Sequence, residues 1–390
     1  MKLKKKKELF AHMQTIPDYR VDDGKIEYVL AEVIFMTLFG ILKGHSTYKD
    51  IVVWMEYNSN NKILKRVFQK DSIDIPSKST LHNIMINVGN DALENIFREF
   101  FSKHINKKGV AIDGKWLRGS DVNGQYTQEE HKAVLNVLDK ETKIVYAHKL
   151  LDKDKKSEIP AFKELLEDGV FCSNGQIFSF DALLTQVDIL NTIDEQKNRY
   201  IAKVKDNQLN LKKDIITISN DFKSPTDYYE DKKSDYLTEN NNYVSRRVEV
   251  YQNKNCDLVM YHNKINNINS IIKVIKTITD ANTLEVTTTT QYLIANFKTT
   301  AKDFKEIILQ HWRVETYHYH LDMLTKEDDH IAYKDPFSMA ILRSFTINLY
   351  QLFLNEYKDQ KVLVGGKTTM AEIRRSAIHS DEFVSDLFEQ

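Results

Sequence analysis

The chain has 390 residues, 42% of them hydrophobic, and its 55 basic and 56 acidic side chains leave a net charge of −1. That length can bury a sizeable core and favours two or three domains. The charge balance lacks the basic footprint of a dedicated nucleic-acid binder, although local basic patches remain compatible with it, since catalytic acids subtract from the total. With 19 Tyr and 19 Phe, long disordered stretches are excluded as an expectation. Cys172 and Cys256 stand far apart, so neither a Cys-x-x-Cys zinc pattern nor a disulfide framework is present.

A reducing cytoplasm fits that cysteine usage. The stretch Met1-Lys-Leu-Lys-Lys-Lys-Lys7 lacks a following apolar core of signal-peptide length. The most apolar segment, Tyr28 to Leu42, contains Glu32 and is too short to span a bilayer. The expectation is a cytoplasmic, nucleoid-associated protein with no membrane partner.

In chain order, residues 1–105 read as helical. Tyr28 to Leu42 is apolar nearly all round, the pattern of a helix buried in a bundle. Thr47 to Tyr57 follows, with Ile51, Val52, Trp54 and Met55 as its inner face, then Asn61 to Phe68 and Asp91 to His104. In Ile75-Pro-Ser-Lys-Ser-Thr-Leu-His82, Pro76 is a stop and Ser77 an N-cap. Two readings stay open there. One is a plain capped helix; the other is a helix-turn-helix recognition helix with Lys78, Ser79, Thr80, His82 and Asn83 exposed.

Near Lys107 the pattern turns to strands: Gly109 to Trp116, His131 to Leu138 and Lys143 to Leu151, the last two joined by a hairpin turn at Asp139-Lys-Glu-Thr142. Helix, strand, helix and strand follow at 158–167, 176–181, 185–196 and 199–205, with Gly169 closing the first helix. A mixed sheet with helices on its faces results. From 226 to 299 four segments rich in Val, Ile, Thr and Tyr predict strands, namely 243–252, 256–262, 271–279 and 286–296. Helical pattern returns over 302–326 and 336–357.

The chemistry gathers around Val110-Ala-Ile-Asp-Gly-Lys-Trp-Leu-Arg-Gly119, where a strand delivers Asp113 into a Gly-Lys turn. A surface Asp before Gly is also an ordinary turn signal. Asp181 ends a second strand of the same sheet, and two carboxylates side by side repel unless a cation or proton lies between them. Oxygen ligands of this kind suit Mg²⁺ or Mn²⁺. A third acid lies in His311-Trp-Arg-Val-Glu-Thr-Tyr-His-Tyr-His-Leu-Asp322, where a helix would align Glu315 with His311, His318, Tyr319 and Asp322 and leave Arg313 off that stripe. The alternatives are a solvated helix face, or a zinc site formed by His311, Glu315 and His318. The spacing is not His-Glu-x-x-His.

Several ordered motifs resemble one family, the DDE transposases of bacterial insertion sequences, in the H-repeat-associated branch. They are Ala111-Ile-Asp-Gly-Lys-Trp-Leu-Arg-Gly-Ser120, Ser179-Phe-Asp-Ala-Leu-Leu-Thr-Gln186, Lys205-Asp-Asn-Gln208, Arg246-Arg-Val248, His311-Trp-Arg-Val-Glu315 with His318 and Leu321-Asp322, and Ala340-Ile-Leu-Arg343 with Asn348-Leu349. Leu183-Leu184 and Tyr319 depart from that branch's usual residues, and the step from Glu315 to His318 is one residue shorter. The resemblance implies an RNase H-like α/β core at 106–225 and 300–390, a β-rich insertion at 226–299, and a helical DNA-binding domain at 1–105.

It further implies a catalytic and metal-binding triad of Asp113, Asp181 and Glu315 that holds two Mg²⁺ or Mn²⁺ ions for DNA cleavage and strand transfer. His311, His318 and Asp322 are candidates for supporting roles around the metals. Lys115, Arg118, Arg246, Arg247 and Arg313 are candidates for contacts with the DNA backbone. The implied partners are double-stranded DNA, as element ends and target, and a second copy of the chain in a dimer on DNA. Two rivals share these residues: a catalytically silent DNA-binding relic, and a metal-dependent nuclease without strand transfer.

Overall fold

The computed structural model describes residues 4–389 except 21–25, 118–131, 152–157, 172–173, 222–223, 232–236, 240–241, 253, 330–335, 359, 361 and 364–367. Arg118 therefore lies outside the described residues, as does Cys172. Six helices come first: α1 (Lys4–Met13), α2 (Leu30–Leu42), α3 (Tyr48–Tyr57), α4 (Lys62–Phe68), α5 (Lys78–Asn87) and α6 (Asn90–Phe101). Strands β1 (Gly109–Trp116), β2 (Ala133–Asp139) and β3 (Val145–Leu151) follow, then α7 (Glu158–Glu167), β4 (Ile177–Phe180), α8 (Val187–Glu195), β5 (Arg199–Val204) and α9 (Leu209–Asp221). Next are β6 (Asp227–Glu230), β7 (Leu237–Glu239), β8 (Asn242–Gln252), α10 (Lys254–Asn263), β9 (Ser270–Asp280) and β10 (Val286–Ala295). Four helices close the chain: α11 (Ala301–Thr325), α12 (Phe337–Tyr357), α13 (Met370–His379) and α14 (Asp381–Leu387).

The chain divides into two compact units. The first comprises Met1–Asn106, Gly114–Ser157 and Val314–Gln390; the second comprises Lys107–Asp113 and Glu158–Arg313. Strand β1 and helix α11 each contribute to both. Through β1 the strand order β3-β2-β1-β4-β5, with β2 and β3 antiparallel and β1, β4 and β5 parallel, is that of an RNase H-like sheet. The β-rich segment extends this sheet: β10 pairs antiparallel with β5, and β9, β8 and β6 follow outward in antiparallel order.

In the first unit, α2 is buried along its whole length, as its nearly uniform apolar sequence requires. Its one acid, Glu32, is neutralised by Lys70 at 2.7 Å. Helix α12 is buried from Phe337 to Phe353, and several of its polar groups bond to neighbouring backbone. The Tyr350 hydroxyl donates to the Leu42 carbonyl at 2.9 Å, and the Asn348 amide both accepts from Val145 N and donates to Val145 O. Phe97 and Phe101 of α6 pack on Phe345 of α12. The β2–β3 turn is closed by Asp139, whose Oδ1 accepts from the backbone N–H groups of Glu141 and Thr142.

In the second unit, the period of two along β4 decides what each face meets. Phe178 and Phe180 point to one side, where Phe162 of α7 covers them with ring centroids 6.3 and 5.7 Å away. Ser179 points to the other, where α11 lies. Further out on the sheet, Ile201, Val248, Val250, Ile272, Val274 and Leu293 form a core closed by Ala301 and Phe304 of α11.

One expected element is corrected. Residues 256–262, read as a strand, lie within helix α10. Cys256 and Val259 are its buried positions, a spacing of three that belongs to a helix, and Asn263 donates to the Val259 carbonyl at 3.0 Å. Helix α9 fills a stretch for which the sequence pattern made no prediction.

Candidate active site

The strand register brings two of the expected acids together. Ile112 pairs with Phe180 and Phe180 with Ala202 across parallel β1, β4 and β5. The next residues along, Asp113, Asp181 and Lys203, therefore fall in one row on one face. Neighbouring strands lie about 4.8 Å apart, so the two aspartates occupy adjacent positions of the sheet. Two residues back along the same face is Ser179, whose hydroxyl lies 3.0 Å from His311 Nδ1 of α11 and 3.3 Å from the Val110 carbonyl. His311 is thus seated on the face that carries the aspartates.

Asp181 does not stand bare. Lys205 Nζ donates to its Oδ2 at 2.9 Å, and Lys203 Nζ lies 3.8 Å from its Oδ1. Partial burial pushes the carboxyl toward protonation, but the Lys205 hydrogen bond, the Ala182 N–H and the two lysine charges outweigh it and hold the group below the usual carboxylate range. Sequence reasoning missed both lysines. Their spacing, alternate residues at the end of a strand beside an acid-bearing strand, was the available signal.

Glu315 is exposed on α11. It sits four residues beyond His311 in one uninterrupted helix, and so on the same stripe. Three residues on, His318 Nε2 lies 3.1 Å from the Asn136 amide nitrogen of β2, which also donates to the Val134 carbonyl. Asn136 is 2% exposed, and it is a further residue that the sequence did not single out. Among the described residues no three His, Cys, Asp or Glu side chains are gathered closely enough to hold a metal ion.

The basic candidates behave differently from one another. Lys115 is 7% exposed and embedded among Asp322 (2.7 Å), Asp328 (3.2 Å) and Glu327 (3.7 Å). Burial works against its charge, yet the Glu327, Asp322 and Asp328 carboxylates more than offset it and raise its pKa. An ammonium so enclosed serves as an internal counter-ion and gives Asp322 a structural partner. Arg247 is bound to Glu230 and Glu249 and stacks over Tyr228 at 4.9 Å. The backbone N–H of Arg246 donates to Asp231. Arg246 and Arg313 are half-buried.

The sequence matches two family models in tandem: "DDE_Tnp_1-associated" over residues 10–101 and "Transposase DDE domain" over residues 105–346. Among curated relatives, YbfL of Escherichia coli K12 is 27% identical over 83% of this chain and 84% of its own. The H repeat-associated protein YhhI of the same strain, named as a transposase, is 25% identical over 83% and 84%. The cryo-EM structure of a piggyBac transposase synaptic complex with hairpin DNA aligns over 98% of this chain and 78% of that one, at TM-score 0.47 and 12% identity, too distant to argue from.

Proposed function

Given that the chain belongs to the family of the transposase DDE domain, we propose that it is the transposase of an insertion sequence, cutting double-stranded DNA at the element's ends and joining those ends to a target. The observation that carries this reading is the register of β1 and β4, which puts Asp113, within β1, and Asp181, just past β4, each one residue beyond the Ile112–Phe180 pair. Two carboxylates so placed favour a cation between them, and an all-oxygen donor set suits Mg²⁺ or Mn²⁺. Asp113, Asp181 and Glu315 would hold the ions, two in number. Bound there, such ions activate an attacking oxygen and stabilise the leaving one.

The remaining roles follow from the chain's own contacts. Ser179 orients the His311 imidazole and Asn136 that of His318, which suits both rings to steady phosphate oxygens beside Glu315. Arg246, Arg247 and Arg313 remain candidates for the DNA backbone. On this reading residues 1–105 engage the ends, 106–225 with 300–390 carry out the chemistry, and 226–299 is inserted between the second aspartate and the glutamate. The protein would act as a dimer on DNA in the cytoplasm; among the described residues no helix is long and apolar enough to cross a membrane.

The test is cleavage of a duplex bearing the element's terminal sequence, with Mg²⁺ present. Asp113→Ala, Asp181→Ala and Glu315→Gln are each expected to lower the rate by at least about 10³-fold, the scale of removing a principal source of transition-state charge stabilisation, with unchanged circular dichroism. Retained cleavage in any one of them removes that residue from the triad. Cleavage without joined donor–target products would replace strand transfer by a nuclease activity. Binding without cleavage would leave a silent relic.

A further inference from the structure

The Lys205-Asp-Asn-Gln208 segment directly follows β5, and three of its side chains converge on Asp181 and the loop behind it. Asn207 Nδ2 and Gln208 Nε2 both donate to the Ala182 carbonyl, at 2.9 and 2.7 Å. Gln208 Nε2 also donates to the Thr185 carbonyl at 3.0 Å, and its Oε1 accepts from the backbone N–H of Lys205 at 3.3 Å. Thr185 Oγ1 ties the same loop to the Lys203 carbonyl at 2.8 Å. The backbone after Asp181 is therefore held by amide and hydroxyl groups that leave the carboxylate itself alone.

Beside the Ala182 backbone N–H, the groups that touch that carboxylate in the contacts described above are lysines. Lys205 and Asp181 are 49% and 45% exposed. An ion pair this open contributes little to stability, because solvent screens it and a long side chain must be ordered to form it. Its location is more informative than its strength. The ammonium occupies the oxygen that a divalent ion would need, on the face shared with Asp113.

We propose that Lys205 is a positioning residue, a resident cation that holds the Asp181 carboxylate in place before metal arrives and gives it up when a divalent ion takes its place. The inference rests on the reading of Asp181 as a metal ligand. Asn207 and Gln208 make the exchange possible without moving the aspartate, since they fix the loop whether or not Lys205 is paired. A divalent ion wins the competition through its higher charge and direct coordination, while the lysine stem swings outward into solvent.

The experiment is Mn²⁺ binding to the full chain without DNA, followed by electron paramagnetic resonance of free Mn²⁺, with circular dichroism as the check on folding. Lys205→Gln is expected to tighten Mn²⁺ binding by roughly 1.4- to fivefold, the range set by an exposed ion pair of about 0.2–1 kcal/mol. The difference from wild type should shrink in 0.5 M salt, where screening already weakens the pair. Lys205→Arg, which keeps a cation in place, should bind Mn²⁺ as wild type does. Equal affinity of Lys205→Gln and wild type at low salt, or weaker binding by the variant, would overturn the exchange. Asp181→Asn separates the two levels: if it leaves Mn²⁺ affinity unchanged, the ligand role of Asp181 fails first, whatever Lys205 does.

Discussion

Asp113 and Lys115 are alternate residues of one strand and belong to the same short motif, yet they meet opposite fates. Asp113 comes into line with Asp181, whereas Lys115 is absorbed by acids more than 200 positions further along the chain. Breaking a buried cluster by removing the cation that three of its carboxylates share leaves charge poorly compensated, a loss of about 3 kcal/mol or more. Glu327, at 3% exposure, is already pushed toward protonation by its burial. Lys115→Met should therefore lower the thermal unfolding midpoint at pH 7. The deficit should narrow as the pH falls, because the raised carboxyls take up protons and the repulsion fades. A midpoint unchanged at pH 7 and below would return Lys115 to the surface.

At the scale of the element, the helix after Pro76 is the clearest case of local sequence deciding local structure. Ser77 is extended and its side chain accepts from Thr80 N, the N-cap geometry that the Ser-x-x-Thr spacing predicts. Lys78, Ser79 and Asn83 are exposed on α5, while Leu81, Ile84 and Met85 are buried. His82, counted with the reading side, is half-buried and meets Tyr48 edge-on at 5.4 Å. Ser77→Ala should cost about 1 kcal/mol of stability and leave DNA binding intact. Lys78→Ala combined with Asn83→Ala should leave stability unchanged and, if α5 reads DNA, weaken end binding with a shallower salt slope. Equal affinity and equal slope would assign α5 to packing alone. Helix α10 is the counter-example: Val, Met and Tyr around Cys256 carry strand propensity, but burial at a spacing of three prevails.

At the scale of the whole molecule, residues 1–105 are not a detachable module within the first unit. Lys6 of α1 is fully buried and bonds to Ser385 and Glu389 at the far end of the chain. Glu94 of α6, 4% exposed, holds His148 of β3, whose other ring nitrogen lies 2.8 Å from Ser344 of α12. Ser344 in turn meets the buried hydroxyl of Tyr317, two residues beyond Glu315 on α11. A chain of buried polar groups is costly when half satisfied. Removing residues 1–105 should therefore yield an aggregating or partly unfolded product with poor near-ultraviolet circular dichroism, and not a truncated enzyme that binds DNA weakly. A monomeric, cooperatively melting fragment of residues 106–390 would contradict this.

Hydrophobic period and turn chemistry by themselves determined most of the elements, from the all-apolar α2 to the 109–116 strand, because those signals act over a few residues. They also put Asp113 on a strand and Asp181 at the end of one, and made a helix of the segment around Glu315. What only the tertiary structure decided is which side chains share a face and which find partners: the row of Asp113, Asp181 and Lys203, the Ser179–His311 and Asn136–His318 contacts, and the enclosure of Lys115. The physical reason is one of range. Propensity and periodicity are local, whereas strand register and ion pairing join residues tens to hundreds of positions apart, and an isolated Lys or Asn in the sequence looks the same whether it meets water, a carboxylate or a ring nitrogen.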